Sequence, residues 1–264
     1  MNISTASISR QGGRASNQDQ TGETIGDRAA CFVVCDGIAG LPGGDVAAEL
    51  ARNAIISGFD GDRHLNAQSI RQYVNGANHA IRCEQKVGQE NARMGTTLVS
   101  LFIDRDYHLA YWAHAGDSRL YLFRRGWLYH VTTDHSLVQQ MKDAGHQTDG
   151  VNSNLLYFAL GLGDDQREAS YSDVVPIEDG DVFLLCTDGF WHGVSEELMK
   201  QSLHMVNTPD EWLTLMNQIL LRNDVQSDGQ QDNYSAVAVW VGAPQDTTLL
   251  HSLAQAALFL PLRD

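Results

Sequence analysis

The most informative residues of the sequence are aspartates at the ends of apolar runs. Asp36 follows Phe-Val-Val-Cys, Asp188 follows Val-Phe-Leu-Leu-Cys-Thr, and Asp232 precedes Asn-Tyr-Ser-Ala-Val-Ala-Val-Trp. Asp117, in Gly-Asp-Ser-Arg, lies between two further strand-like segments. A carboxylate at the end of a buried strand is costly unless a positive charge meets it, and several that converge repel one another. A divalent cation relieves both penalties, and all-oxygen ligands favour Mg²⁺ or Mn²⁺ over Zn²⁺.

The two Asp-Gly pairs that begin at Asp36 and Asp188 have a simpler interpretation as turns. Asp-Gly is a common turn dipeptide, and for either pair alone the turn interpretation is preferred. Two such pairs after equivalent strands, together with Asp117 and Asp232, favour a metal site instead. Gly37 also allows a sharp backbone bend, which would present its own carbonyl oxygen to a metal.

Arg14 is the cation that would complement a metal centre acting on phosphate. A guanidinium group holds a phosphate through two parallel N–H bonds. Taken alone, Arg14 is a solvated surface residue, and only the surrounding pattern gives it a role. A rival cation motif, Asp224-x-Gln226-x-Asp228-Gly229, resembles the start of a calcium-binding loop. Its twelfth position is Ser235 rather than glutamate, so we reject it.

Hydrophobic spacing predicts the elements that position these residues. Predicted helices cover residues 45–58, with Asp45 as N-cap, 67–87 and 136–144, and two more open at Ser195 and Thr208. Predicted strands cover residues 31–35, 96–103, 107–115, 119–124, 127–131, 181–187 and 234–241. Helix pairs combined with many antiparallel-type strands predict an α+β fold with helices outside packed sheets, rather than a doubly wound parallel sheet.

Composition and charge limit the function classes. With 43% hydrophobic and 19% charged residues over 264, the chain has the composition of a globular protein that can bury a core. Its formal charge of -15 repels phosphate backbones and anionic lipids, which argues against binding to nucleic acid or a membrane surface. The sequence shows neither a signal-peptide core nor an apolar run long enough to span a bilayer, so we expect a cytoplasmic protein.

Eight short blocks, taken in order, resemble the metal-dependent Ser/Thr protein phosphatases of the PP2C (PPM) family, in particular its bacterial branch. Any single block is weak, but their order over residues 8–241 is specific. The blocks are Arg14-Ala-Ser-Asn17-Gln18-Asp19, Val34-Cys-Asp36-Gly37, Met94-Gly95-Thr96-Thr97, Ala115-Gly116-Asp117-Ser118-Arg119-Leu-Tyr121, Thr133-Asp134-His135-Ser136, Ala159-Leu160-Gly161, Cys186-Thr187-Asp188-Gly189 and Asp232-Asn233.

The resemblance implies a fold and a domain organisation. The fold would be an α/β/β/α sandwich, in which two packed antiparallel β-sheets are flanked by helix pairs. A phosphatase domain would cover residues 1–242. Residues 243–264 lie beyond the resemblance, and we expect them to form a C-terminal extension packed on the domain through a short amphipathic helix, whose apolar residues are Leu249, Leu250, Leu253, Ala257 and Leu260. Docking of that extension to a partner is the alternative. Residues 136–160 correspond to the variable flap that lies beside the active site in this family.

The resemblance also implies a centre of two Mn²⁺ or Mg²⁺ ions. Asp36 would bridge both ions. Asp188 and Asp232 would complete the coordination of the first ion, and the carbonyl oxygen of Gly37 would bind the second. Asp117 matches the acid that supports a third, weaker ion in some relatives.

Arg14 matches the family's phosphate-binding arginine, and three positions depart from the family pattern. Gln18 replaces the glutamate that some members place around the second ion, so water would hold more of that ion. Ile38 stands where animal members place a histidine proposed as general acid. His192 replaces an aspartate of the third-ion site, which makes that site the least secure.

The implied activity is hydrolysis of phosphoserine and phosphothreonine on proteins by a metal-bridging hydroxide, with Arg14 and Asp36 as the catalytic residues. Such an enzyme would oppose a bacterial Ser/Thr kinase. A catalytically silent binding protein on the same fold is an alternative, but a missing ligand would favour it and none of the three ligands is missing. A hydrolase of small phosphate esters is the other alternative. The sequence does not fix the oligomeric state, and we favour a monomer.

Overall fold

Two antiparallel β-sheets pack face to face in the computed structural model, which describes residues 1–61, 63–87, 92–162, 167–226 and 231–244. The first sheet has the strand order β1-β11-β10-β6-β7, and the second has the order β2-β3-β4-β5-β8, with β9 also pairing with β5. The first sheet comprises β1 (Ile3–Arg10), β6 (Arg119–Arg124), β7 (Trp127–Val131), β10 (Val182–Cys186) and β11 (Tyr234–Val241). The second comprises β2 (Asp19–Ile25), β3 (Ala29–Asp36), β4 (Leu98–Asp104), β5 (Leu109–Ala115), β8 (Ser170–Tyr171) and β9 (Val175–Pro176).

The outer faces of the sheets carry the helices. The helices are α1 (Gly44–Gly58), α2 (Ala67–Val87), α3 (Leu137–Asp143), α4 (Asp188–Trp191), α5 (Glu196–Leu203) and α6 (Pro209–Gln226). The pair α1 and α2 covers the second sheet, and the pair α5 and α6 covers the first. The predicted α+β sandwich with flanking helix pairs therefore describes the structure.

The strand β3 shows how the sequence separates the layers. Its side chains alternate between the two faces of the sheet, as strand geometry requires. Ala30, Phe32 and Val34 pack between the two sheets, whereas Cys31 and Val33 pack under α1 and α2. Because both faces are covered, the strand is a continuous apolar run rather than an alternating one.

Several predicted helix ends have the expected caps, and one does not. The hydroxyl oxygens of Ser136, Ser195 and Thr208 accept hydrogen bonds from backbone N–H groups of the first turns of α3, α5 and α6. Asp45, however, is not the N-cap of α1. Gly43 takes that position with a left-handed backbone (φ 79°), and Asp45 lies in the first turn, where a carboxylate still complements the helix dipole.

Sequence reasoning missed five elements, namely β1, β2, β8, β9 and α4. The strand β1 is rich in serine and threonine and lies at a sheet edge, where it pairs with β11 from the other end of the chain. Such a strand is stabilised by a distant partner rather than by its own apolar pattern. Of the residues 243–264 predicted as an extension, 245–264 lie outside the described part of the chain. None of the described helices is long and apolar enough to cross a bilayer.

We expect Trp212→Ala, in α6, to destabilise the protein by about 3–5 kcal/mol, because a fully buried aromatic side chain leaves a cavity. The Trp212 indole is buried against Phe123, and its Nε1–H donates to Ser202 Oγ over 2.9 Å. Urea unfolding measures the loss. Leu221→Ala, on the half-exposed face of the same helix, is the matched control and should cost less than about 1 kcal/mol. Equal losses would contradict this packing.

Candidate metal centre

A cavity of about 370 Å³ opens where strand ends of both sheets come together. All six residues proposed from the sequence as site residues line this cavity. They are Arg14, Asp36, Gly37, Asp117, Asp188 and Asp232. The structure therefore places these residues together, although their positions along the chain are far apart.

The four aspartates of the cavity lie at the ends of different strands or in the connections between them. Asp36 is the last residue of β3, and Asp188 begins the short helix α4 directly after β10. Asp232 precedes β11, and Asp117 lies in the link between β5 and β6, which belong to different sheets. The cavity is therefore built across the seam of the sandwich, and both sheets must dock to form it.

Gly37 occupies a position that only glycine fits. A Cβ atom at this residue would lie 2.4 Å from the carbonyl oxygen of Gly44, well inside van der Waals contact. The neighbouring backbone is also held. The Asp36 N–H donates to Thr97 Oγ1 over 3.0 Å, and the Asp36 carbonyl oxygen accepts from Thr97 N and from Thr96 Oγ1, each over 2.8 Å. The Asp36–Gly37 turn is thus fixed before any ligand binds.

The buried carboxylates disfavour one another's charge. Burial raises the pKa of Asp36 well above its ordinary value, and the charges of Asp19, Asp188 and Asp117 raise it further. Burial likewise raises the pKa of Asp117 to about 7, with Asp188 adding to the effect. Burial also raises the pKa of Asp188. A cluster of this kind carries its negative charge comfortably only beside a cation.

Asp19 is a residue of this cluster to which sequence reasoning gave no role. It lies directly opposite Asp36 in the β2–β3 pairing and is only 4% exposed. Thr187 Oγ1 donates to Asp19 Oδ2 over 3.0 Å, whereas Asp19 Oδ1 is buried without a hydrogen-bond partner. Burial raises the pKa of Asp19 to about 7. The one available signal was its place in the Asn17-Gln18-Asp19 block.

Arg14 and Asp232 form an ion pair across the cavity wall, with Nη2 and Oδ2 separated by 2.5 Å. This hydrogen bond to Asp232 is the main reason why the pKa of Arg14 is raised. The next residue, Asn233, fixes the loop that carries Arg14. Its Nδ2 donates to the carbonyl oxygens of Gln11 and Ser16 over 2.7 and 2.9 Å. The arginine, which lies between β1 and β2, is therefore positioned by the two residues that directly precede β11.

The donor set fits hard divalent cations. Among the residues that the structure describes, no three His, Cys, Asp or Glu side chains form a ready-made cage for one ion. The carboxylates instead line a shared cavity, which leaves room for water and for the Gly37 carbonyl oxygen as further ligands. Mg²⁺ and Mn²⁺ favour such oxygen sets, and Mg²⁺ keeps several of its waters. The unpartnered Asp19 Oδ1 and the mutual repulsion of the carboxylates agree with a cationic occupant.

The three departures from the family pattern have different positions. Gln18 and Ile38 both line the cavity. His192 lies beside it. Its ring centroid is 3.8 Å from that of Trp191, with the two rings tilted by 40°, and its Nδ1 is 4.0 Å from Asp188 Oδ2. The cavity therefore has the aliphatic side chain of Ile38 in its wall at the position directly after Gly37.

Comparison with known proteins decides the family. The sequence profile of the family described as Protein phosphatase 2C matches residues 9–230. The chain belongs to the protein phosphatase 2C family.

Relatives and solved structures of this PP2C family agree with the match. The chain is 29% identical over 227 residues to the serine/threonine phosphatase stp of Listeria welshimeri, covering 81% of this chain and 85% of the relative. The crystal structure of the serine/threonine phosphatase PstP/Ppp of Mycobacterium tuberculosis has a TM-score of 0.77 at 27% identity, covering 91% of this chain and 99% of that one. A PstP catalytic domain in complex with two manganese ions has a TM-score of 0.76 at 28% identity, covering 91% and 98%.

These findings confirm the predicted family, the packed-sheet α+β fold, the metal-dependent protein-serine/threonine phosphatase activity and the use of Mn²⁺ or Mg²⁺. The roles of individual residues stay predictions. Serine/threonine phosphatases such as these relatives act on phosphoproteins.

Mn²⁺ should raise the melting temperature of the protein by about 5–10 °C at a hundredfold excess over Kd, because the ion binds the folded state alone. Asp36→Asn should abolish this shift, since it removes a charge that both ions would share. Scanning fluorimetry with and without chelator measures it. A full Mn²⁺ shift in the Asn variant would contradict the role of Asp36.

The Mn²⁺ shift should also grow as the pH rises from 6 to 8. Asp19 and Asp117 have pKa values of about 7 in the folded protein, against an ordinary value of 3.8. Between pH 3.8 and about pH 7, the folded state therefore binds more protons than the unfolded state. The metal-free protein therefore loses stability as pH rises through that window, while protons compete less with the cation. An equal Mn²⁺ shift at pH 6 and pH 8 would show that the cluster does not bind the ion.

Proposed function

We propose that the cavity between the sheets is where this PP2C phosphatase hydrolyses phosphoserine and phosphothreonine in protein substrates. The observation that carries the proposal is the convergence of four acidic side chains, one arginine and the Gly37 turn on a single cavity. The negative charges suit divalent cations, and the arginine suits the phosphoryl group. The opening is lined by polar groups and lies at the surface, where a phosphorylated side chain can enter.

Each carboxylate has a proposed part in holding the ions. Asp36 would contact two ions. Asp188 and Asp232 would complete the coordination of the first ion, and the Gly37 carbonyl oxygen would bind the second. Asp117 would support a third, weaker ion. When bound, such ions neutralise phosphoryl oxygens and lower the pKa of water, which supplies a hydroxide at neutral pH.

Arg14 is the proposed phosphate-binding residue. Its guanidinium lies at the cavity with about half of the side chain exposed, and Asp232 fixes its position from one side. A planar guanidinium can donate two parallel N–H bonds to phosphoryl oxygens, which orients the phosphorus for attack. Charge that develops on those oxygens is the main demand of phosphoryl transfer, so this contact is worth more in the transition state than in the ground state.

Protonation of the leaving alkoxide falls to water in this proposal. Ile38 has no proton to donate, and no histidine is found among the described residues that line the cavity. Neither a phosphoenzyme nor a nucleophilic side chain is required, because water attacks directly. Cys35 and Cys186, which lie near the acidic residues in the chain, are fully buried and belong to the core.

Further parts of the proposal concern the cellular context. A bacterial enzyme of this kind would oppose a Ser/Thr kinase and act in the cytoplasm as a monomer. The phosphatase domain would span residues 1–242, with residues 243–264 packed on it as an extension. The flap, residues 136–160, contributes Asn154 and Leu156 to the cavity wall. These side chains are therefore placed to contact the residues that flank a phosphorylated serine or threonine.

Phosphate release from a phosphothreonine peptide should require Mn²⁺ or Mg²⁺ and should be lost in chelator and in Asp36→Asn. A malachite green assay measures it, and p-nitrophenyl phosphate, tested beside the peptide, represents small esters. A higher kcat/KM for the peptide supports the protein phosphatase. A preference for the ester would favour the small-molecule hydrolase, and no turnover by folded, Mn²⁺-loaded enzyme would indicate a binding protein.

Arg14→Ala should lower kcat/KM for the phosphopeptide by about 10²–10³-fold, because it removes a donor aimed at developing charge. Arg14→Lys should recover only part of the loss, since an ammonium group lacks the fork of the guanidinium. Arg10→Ala is the matched control. Arg10 is an exposed arginine at the end of β1 whose guanidinium donates to the adjacent Ser9 carbonyl oxygen, and its loss should leave kcat/KM unchanged. Similar losses in both alanine variants would mean that the effect is one of net charge.

A further inference from the structure

A second cavity, larger than the metal centre, lies where the edge strands of the two sheets approach each other. Its volume is about 630 Å³, which is within the range that holds small molecules. The outer neighbour of β5 is broken into the short strands β8 and β9, and residues 172–174 leave the sheet between them. On the opposite side, β7 contributes Tyr129 and His130. We name this space the edge cavity.

The walls of the edge cavity are aromatic and carry little charge. Trp112, Tyr129, Tyr157 and Tyr171 line it together with three imidazole rings, those of His114, His130 and His135. Among the described residues that line it, Asp173 is the one carboxylate, and lysine and arginine are absent. Three guanidinium groups lie over these tyrosines from outside the lining: Arg71 over Tyr171, Arg124 over Tyr129 and Arg167 over Tyr157. Arg71 is paired with Glu168, Arg124 with Asp181 and Glu178, and Arg167 donates to the Tyr157 carbonyl oxygen. Because the carboxylate of Asp173 is the charged group among the described lining residues, the lining disfavours anions, and its aromatic rings suit a planar molecule.

Two buried polar groups at this cavity lack partners inside the protein. The Nε2 of His114 lies 2.8 Å from the carbonyl oxygen of Thr133, which can only accept, so Nε2 carries the proton and Nδ1 is an acceptor. That Nδ1 has no hydrogen-bond partner although His114 is only 7% exposed, and the hydroxyl of Tyr171 is likewise buried without one. Such groups cost free energy until a partner is supplied. Burial lowers the pKa of both His114 and His135, so these rings stay neutral and accept at physiological pH.

The edge cavity is connected to the metal centre by short contacts. His135 Nδ1 accepts from the backbone N–H of Gly116, the residue before Asp117. The His135 backbone N–H donates to the Gly116 carbonyl oxygen over 2.9 Å. In the flap, Tyr157 lines the edge cavity while its neighbour Leu156 lines the metal centre. A ligand that moves His135 or Tyr157 therefore moves parts of both sites.

We propose that the edge cavity binds a small planar aromatic molecule that is neutral or positively charged and donates a hydrogen bond, and that its occupancy changes the affinity of the metal centre. Coupling of this kind is reciprocal, so Mn²⁺ must change the affinity for the aromatic ligand by the same factor. The binding half does not depend on the proposed function. The coupling half requires only that metal ions bind in the cavity that the six site residues line.

Three quinoline probes test the charge and donor preference at pH 7.5 in the full-length protein. They are 4-aminoquinoline as cation and donor, quinoline as neutral molecule, and quinoline-4-carboxylate as anion. Titration followed by histidine-selective ¹⁵N NMR reports both the Kd and the state of His114 Nδ1. We expect 4-aminoquinoline to bind at least about tenfold tighter than the carboxylate and to shift the Nδ1 resonance. Absence of binding, or equal binding of anion and cation, would overturn the proposal.

A blocking variant and a matched control locate the binding. Val174→Trp places an indole at a half-exposed position of the edge-cavity wall, and Ile25→Trp places one at a similarly exposed position at the end of β2. Val174→Trp should abolish binding of 4-aminoquinoline, and Ile25→Trp should retain it. Circular dichroism checks that both variants fold. Binding that survives in Val174→Trp would place the probe elsewhere and overturn the proposal.

The coupling is measured without turnover. The Kd of 4-aminoquinoline, determined with and without saturating Mn²⁺, should differ by at least about twofold, and the Kd of Mn²⁺ should change by the same factor. Equal Kd values would overturn the coupling. An enzyme that binds Mn²⁺ and the probe reciprocally but releases no phosphate would instead contradict the proposed function, so the two failures are distinguishable.

Discussion

The burial of several carboxylates close to one another is the constraint on which the rest of this structure depends. Asp19, Asp36, Asp117 and Asp188 each have a raised pKa, and burial is the first cause in every case. Left alone, such a cluster opposes folding, so the packing of the two sheets must supply the stabilisation that holds it together. The neutral, densely packed layers around Phe32 and Trp212 provide it. The free energy of packing in a large core is therefore needed to offset the cost of a charged site of this kind.

Hydrogen bonds from neighbouring residues turn the repelling cluster into a defined geometry. Thr97 and Thr96 hold the backbone of Asp36, Thr187 holds one oxygen of Asp19, and Asn233 ties the Arg14 loop to β11. None of these groups carries a charge. They fix positions without neutralising the carboxylates, which leaves the negative potential intact for cations. The metal centre is thus preorganised by uncharged neighbours.

The sequence predicted the parts of this protein whose pattern is local. Strands β6, β7 and β11 and helix α2 were bounded correctly, because their apolar periodicity is strong, and the aspartates of the metal centre stood out beside apolar runs. The role of Asp19 could not be predicted, since it follows from the register of β2 against β3. The cap of α1 depends on a left-handed backbone at Gly43. The edge cavity arises from a broken edge strand, and no residue spacing along the chain encodes that break.

The pairing of β1 with β11 brings the first and last strands of the described chain together, with Ile3 opposite Val241. The same closure brings Arg14 to Asp232, 218 positions apart in the sequence. During translation, the nascent chain therefore contains Arg14 and the aspartates that precede Asp232 in the sequence before Asp232 itself has been added. Such contacts between distant residues form late. Arg14 and Asp232 can meet only after the residues that lead into β11 have been synthesised, so an unfinished chain lacks the proposed phosphate-binding pair.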